Sequence, residues 1–200
     1  MEKNQKRATY IILNSNVLFS SLIKGEGFTR AVLLLLMRSE EFKFVIPKTV
    51  VNEFKLHAGE IARKARLPIA YIINSFEKLI EGVERIDETS LKEQIIEGLK
   101  YVNEEKDSPF VAVALKFKPS YILTYNKKDY KIKKLKKREI SVISPKEALE
   151  LMGIEKLEVE TKEKFRKSLT FYLGKLKIFR KFNFQISSLF FKSSLIKSLR

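Results

Sequence analysis

The segment that most limits what this chain can fold into is Tyr10-Ile11-Ile12-Leu13, an apolar, β-branched run that stops at Asn14-Ser15-Asn16 and re-enters an apolar stretch at Val17-Leu18-Phe19. Its brevity, branching and turn-forming stop predict a buried parallel strand with polar side chains at its carboxyl end. In open α/β sheets, that edge is where ligands bind.

The rest of the first three quarters alternates in the same manner. Ala31 to Met37 reads as a helix buried on most sides, closed by Arg38-Ser39-Glu40-Glu41, and Phe42 to Ile46 as a second strand. Pro47 then fits a helix start, with Val50, Val51, Phe54 and Ile61 as its apolar stripe. Pro68 restarts a helix through Ile69, Ile72, Ile73, Phe76, Leu79 and Ile80. A further helix is expected from Ser90 to Val102, where Ser90 and Glu93 have capping-box spacing. Asp107-Ser108-Pro109 opens a helix over Phe110 to Phe117, with Asp107 at the N-cap position. Tyr121 to Thr124 and Ile140 to Ile143 read as strands, and Pro145 to Met152 as a closing helix. Strands alternating with helices predict an α/β domain with a mostly parallel central sheet and helices on both faces. The domain is expected to span 1–153, with 154–200 a separate basic, aromatic-rich extension, helical or disordered. In that extension Phe165, Leu169, Tyr172, Leu176 and Phe179 recur at helical spacing, a basic amphipathic pattern suited to an acidic surface.

The absence of cysteine excludes disulfides and thiolate metal sites, and a single histidine argues against a zinc site of the usual His/Cys kind. A metal in this chain would be held by oxygen, which points to magnesium or manganese. No window reaches the roughly 18 apolar residues of a membrane span, and the expected location is cytoplasmic. The net charge of +16 is unevenly placed. Lys127 to Arg138 carries seven lysines and one arginine against Asp129 alone, and Lys162 to Arg200 eight lysines and three arginines against Glu163. The remainder is close to neutral, so two cationic segments face a nearly neutral body. An anionic polymer such as RNA is the natural partner, although a lysine run can also be a solvated face. The candidate contacts are Lys127, Lys128, Lys131, Lys133 and Lys134.

Three acidic residues fall near element ends: Glu53 in the helix after strand two, Asp107 at a helix start, and Asp129 just after Thr124-Tyr125-Asn126. A doubly wound sheet would gather them with Asn14 on one side of the domain, where three carboxylates and one amide could surround a hydrated divalent ion. Each has a plainer role open to it: a cap for Asp107 or Asn14, a solvent-facing helix position for Glu53, a turn for Asp129. His57 shares a helix face with Glu53 and reads as a local hydrogen-bonding residue. Gly25-Glu26-Gly27 lacks the third glycine of a dinucleotide fingerprint.

Taken in order, these segments resemble the PIN-domain nucleases, especially toxin ribonucleases of the VapC kind. The resemblance rests on Ile11-Ile12-Leu13-Asn14-Ser15-Asn16-Val17-Leu18, on Ile46-Pro47 through Glu53-Phe54, on Asp107 before Phe110 to Leu115, and on Tyr121-Ile122-Leu123-Thr124-Tyr125-Asn126-Lys127-Lys128-Asp129-Tyr130. It covers about residues 8–152. What it implies is a three-layer α/β/α fold and a Mg²⁺- or Mn²⁺-dependent endoribonuclease with Glu53, Asp107 and Asp129 as metal-binding, catalytic carboxylates. Thr124 and Asn126, with Ser15 or Asn16, inherit a supporting role. Asn14 stands where the family usually has its first Asp, so one formal charge is missing and metal affinity and water activation should fall. The alternative is an inactive PIN-fold module that still binds RNA. An antitoxin-like protein and a homodimer are the further partners the resemblance implies.

Overall fold

The computed structural model describes residues 9–24 and 27–152. The sequence-predicted amphipathic helix from Phe165 and the Gly25-Glu26 step lie outside the described residues. The chain divides between Ala148 and Leu149 into two units.

In the first unit, five strands form one sheet: β1 (Thr9–Leu13), β2 (Phe42–Pro47), β3 (Glu84–Ile86), β4 (Ser120–Leu123) and β5 (Ile140–Ile143). Their order is β3-β2-β1-β4-β5, and every pairing is parallel. Ile11, Ile12 and Leu13 are fully buried in the centre, as expected of a strand covered on both faces. The chain steps from β1 outward to β2 and β3, then returns to the other flank of β1 for β4 and β5. Right-handed crossovers therefore put the helices of the two halves on opposite faces, giving three layers. One group is α1 (Ser15–Ile23), α2 (Phe28–Leu36), α3 (Thr49–Ala65) and α4 (Ile69–Leu79), and α1 packs on the other three. The other is α5 (Lys92–Gly98), α6 (Ser108–Lys116) and α7 (Ile132–Lys136), where α5 packs on α6 and α7 on β5. A short helix α8 (Pro145–Glu150) follows.

Several local expectations are corrected. Pro47 ends β2 in register with Ile86 and does not start α3. Its missing N–H costs little at a strand end, and the next residue supplies the donor, Lys48 N to Ile86 O at 2.8 Å. Val51 is only half-buried on α3. On α4, Ile69 and Ile73 face solvent while Ile72, Phe76 and Leu79 are buried. The Ser90–Glu93 capping box does not form. A 3-10 turn (Glu88–Leu91) precedes α5, the Asp87 side chain caps it through Thr89 N, and the Ser90 hydroxyl donates back to Asp87 O.

Two packing details place the later site. Phe54 stacks on Phe76 with ring centroids 3.7 Å apart, an anchor of about 0.5–1.5 kcal/mol that fixes the rotation of α3 and so the direction of neighbouring Glu53. Gly98 lies at the closest approach of α5 to the start of α6, where an added Cβ would sit 3.0 Å from Ser108 O. That carbonyl belongs to the residue next to Asp107.

Candidate active site

Strand β1 has β2 on one side and β4 on the other, so the chain reverses direction between β1 and β4, and a crevice opens at their carboxyl ends. Leu13 and Leu123 are in register. Just past them, Asn14 N donates to Leu123 O at 3.1 Å. The two loops are then stitched by side chains. Asn16 Nδ2 donates to Thr124 Oγ1 at 2.9 Å, Asn16 Oδ1 accepts from Tyr125 N at 3.2 Å, and Thr124 Oγ1 accepts from Asn126 N at 3.1 Å. Of the supporting residues expected from sequence, Asn16 and Thr124 thus make the cross-loop bonds. Ser15 reaches only its neighbour, Asn14 Oδ1, at 3.5 Å.

A cleft of about 370 Å³ opens here, and Asn14, Glu53, Asp107 and Asp129 all line it, with Ser15, Asn16 and Asn126. Asp107 and Asp129 are buried, whereas Glu53 is half-buried on α3. The four residues are therefore brought to one cavity, but not into a tight cluster. Among the described residues no group of three or more acidic, histidine or cysteine side chains has metal-holding spacing. Asp107 and Asp129 thus form a buried pair, and Glu53 lies half-buried on the α3 side of the same cleft.

Asp107 holds the cap position of α6, yet its carboxylate makes no capping bond. It turns inward instead. Oδ1 accepts from the Tyr130 hydroxyl at 3.1 Å and from Asn14 Nδ2 at 3.3 Å, and Asn14 Nδ2 also donates to the Tyr130 oxygen at 3.0 Å. Oδ2 is buried with no protein partner. Burial pushes the Asp107 carboxyl above its ordinary range, and the negative Asp129 adds to this. The Tyr130 and Asn14 donors and Lys106 offset only part of the rise. The Tyr130 hydroxyl is raised too, chiefly by burial and then by the charge of Asp107, so it remains a donor.

The Asn14 amide has no freedom in this arrangement. Its oxygen accepts from Asn16 N at 3.1 Å, capping α1, which leaves the nitrogen facing Asp107. Flipping it would break the cap and set two oxygens together. In this arrangement Asn14 presents N–H, not oxygen, to Asp107.

A magnesium or manganese ion fits the remaining donors. Such ions are often held by one or two carboxylates and keep several waters, and the unpartnered Oδ2 of Asp107 beside the oxygen-bearing Asp129 answers that description. The cleft has further residues that the sequence did not single out. Phe19 and Ile23 form an apolar side, and Glu60 and Lys64 continue the α3 face beyond Glu53 and His57. His57 hydrogen-bonds locally, Nδ1 lying 3.3 Å from Glu60 Oε2. Tyr130 was visible only as the aromatic after Asp129, and nothing in the sequence showed where its hydroxyl would go.

The five lysines proposed for RNA contact, with Tyr130 and Ile132, line a second depression of about 430 Å³. Lys127 is not free, because its ammonium pairs with Glu147 at 2.6 Å. Although partial burial works to raise the Glu147 carboxyl, Lys127 and the N–H and hydroxyl of Ser144 hold it down to about 2. Lys128, Lys133 and Lys134 are exposed and Lys131 half-buried.

A parallel five-stranded α/β sheet with an acid-lined crevice at its switch point defines the class. Comparison with protein families matches residues 12–128 to the PIN domain, and the chain belongs to the PIN-domain family. No curated protein sequence matches it. Among solved structures it is similar to VapBC2 from Rickettsia felis, crystallised bound to a DNA fragment from their promoter. That likeness covers 68% of this chain and 98% of that chain at 14% identity, with a TM-score of 0.43. Among the described residues no helix is long and apolar enough to cross a membrane.

Proposed function

We propose that this PIN domain is a divalent-metal-dependent endoribonuclease whose centre is weakened by Asn14. The observation that carries the reading is the buried Asp107 carboxylate. It is held by two donors on one oxygen, unpartnered on the other, and set beside Asp129 in a cleft at the sheet's switch point. A fold that leaves a carboxylate oxygen buried without a partner stabilises itself at that point only through a bound cation or another outside donor. Asp107 and Asp129 would hold the magnesium or manganese ion. When bound, it would supply Lewis acidity to the scissile phosphoryl group and lower the pKa of a coordinated water.

Other residues serve the substrate. Glu53, on α3, accepts a hydrogen bond from the attacking water and orients it. Lys106, whose ammonium pairs with Glu104 at 2.5 Å, lies close enough to both aspartates to feel their charge and adds to its balance beside an incoming phosphate. Lys128, Lys131, Lys133 and Lys134 hold the polyanion alongside, releasing its condensed cations and making affinity fall steeply with salt. Asn14 lacks the charge that a third carboxylate would lend the cation, so activity is low.

One observation favours a second reading, a PIN-fold RNA-binding module without catalysis: the N–H that Asn14 turns toward Asp107. Incubation of labelled single-stranded RNA with the protein and Mn²⁺ separates them. The nuclease reading predicts cleavage that Asp107→Asn abolishes and Asn14→Asp increases. Cleavage that persists in chelator and in Asp107→Asn would refute it, and binding without cleavage by either wild type or Asn14→Asp establishes the module.

A further inference from the structure

We propose that Tyr130 is a positioning residue that competes with the cation for Asp107, so that this chain carries its own stand-in for part of the metal's role. The inference rests on the metal-binding reading above. Its basis is a full accounting of one hydrogen-bonded ring. A carboxylate oxygen has two lone pairs, and Asp107 Oδ1 accepts two donors, the Tyr130 hydroxyl at 3.1 Å and Asn14 Nδ2 at 3.3 Å. Asn14 Nδ2 also donates to the Tyr130 oxygen at 3.0 Å. Oδ1 is therefore saturated. Only Oδ2 is left for a ligand, and a cation can take Asp107 through both oxygens only by displacing the phenol or the amide.

Tyr130 cannot readily step aside. The residue is 4% exposed and bridges to Val102, Lys131 N donates to Tyr101 O at 2.7 Å, and Asn103 N donates to Asp129 O at 2.8 Å. The backbone on both sides of the phenol is thus pinned. The pairing also explains how a neutral residue is accommodated at position 14. With an aspartate there, the single Tyr130 proton could serve only one of two facing carboxylates. With asparagine, every donor in the ring has an acceptor. The same residue, Tyr130, also lines the lysine depression, so it adjoins both the proposed metal site and the proposed RNA-holding surface.

The test is a comparison of the wild type and Tyr130→Phe by calorimetric titration with Mn²⁺ and by thermal unfolding of the metal-free proteins. The hydroxyl contributes to the apo fold and obstructs the cation, so its removal should move the two readouts in opposite directions. Tyr130→Phe is expected to melt lower without metal and to bind Mn²⁺ more tightly by about tenfold or more, a hydrogen bond to a charged group being lost from the competing state. A merely structural role would lower both. Unchanged or weaker Mn²⁺ binding overturns the proposal.

A wild-type measurement covers the case in which Tyr130→Phe does not fold. Titration with Mg²⁺ should change the near-ultraviolet tyrosine absorbance in step with binding, and binding without that change overturns the proposal as well. RNA cleavage by the wild type with no tightening in Tyr130→Phe ends this inference and leaves the proposed activity standing. Tightening without cleavage by any form does the reverse, and failure of both wild type and Asn14→Asp to bind Mn²⁺ ends both.

Discussion

Replacing Asp107 by asparagine should stabilise the metal-free protein. Asp107 is 5% exposed and has one carboxylate oxygen without a partner. In Asp107→Asn the amide oxygen can take the Oδ1 position and keep the donors from Tyr130 and Asn14, while the amide nitrogen replaces the unpartnered oxygen. A neutral orphan thus replaces a charged one. A buried group left unsatisfied costs about 1–3 kcal/mol, more when charged, so the exchange should gain about 1–2 kcal/mol. For a domain of this size that is roughly 3–6 °C in Tm.

The pH dependence follows from the direction of the shift. Burial raises the carboxyl in the fold above its unfolded value, so the ionisation penalty is fully present above the folded pKa. It disappears as pH falls through the folded pKa, because the fold then binds the proton first. The stability difference between Asp107→Asn and wild type should therefore be largest near about pH 7 and close toward about pH 4, where aspartate protonates even in the unfolded chain. Differential scanning calorimetry in chelator at several pH values measures both effects. An Asp107→Asn protein that melts at or below the wild type at neutral pH, or a gap that acid leaves unchanged, would refute the reasoning.

Neutralising Lys131, Lys133 and Lys134 together by methionine should reduce the salt slope of single-stranded RNA binding by about 2, at roughly 0.7 per phosphate contact. Fluorescence anisotropy across a salt series reads this, and an unchanged slope would remove these lysines from the interface. Glu147→Gln should lower Tm at neutral pH. Because the folded Glu147 carboxyl is held at about 2, its contribution is complete above the unfolded value and fades as pH falls toward that figure, so a loss of equal size at both ends would contradict the assignment. Gly98→Ala should destabilise the fold by about 1 kcal/mol, overpacking at Ser108 O outweighing the gain in helix propensity. Since Ser108 adjoins Asp107, Mn²⁺ binding should weaken as well, and a stabilised protein with unaltered binding would show that the close approach is not strained.

The layered fold was legible because its two signals are local. The branched runs of β1, β4 and β5 and the apolar periodicity of α3, α4 and α6 each fit within a few residues. The strand Glu84–Ile86 was missed because it is three residues long with only Ile86 buried, so it has no periodicity to read. Pro47 was misplaced because its fixed φ suits both a helix start and a strand end, and the deciding partner, Ile86, lies far along the chain. The gathering of Asn14, Glu53, Asp107 and Asp129 at one cleft was anticipated from sheet topology, since strand ends converge whatever their spacing in sequence. The direction of each side chain was not. Asp107 reads equally as a cap, the orientation of the Asn14 amide depends on the Asn16 N–H, and Tyr130 acquires its role only through Asp107 and Asn14.

Calorimetric titration with Mn²⁺ of the wild type, Asp107→Asn and Asn14→Asp tests most directly whether the Asp107 cleft is a metal centre with one charge removed. The account predicts one weak site in the wild type, no binding in Asp107→Asn, and tighter binding in Asn14→Asp. Equal binding by wild type and Asp107→Asn would contradict it.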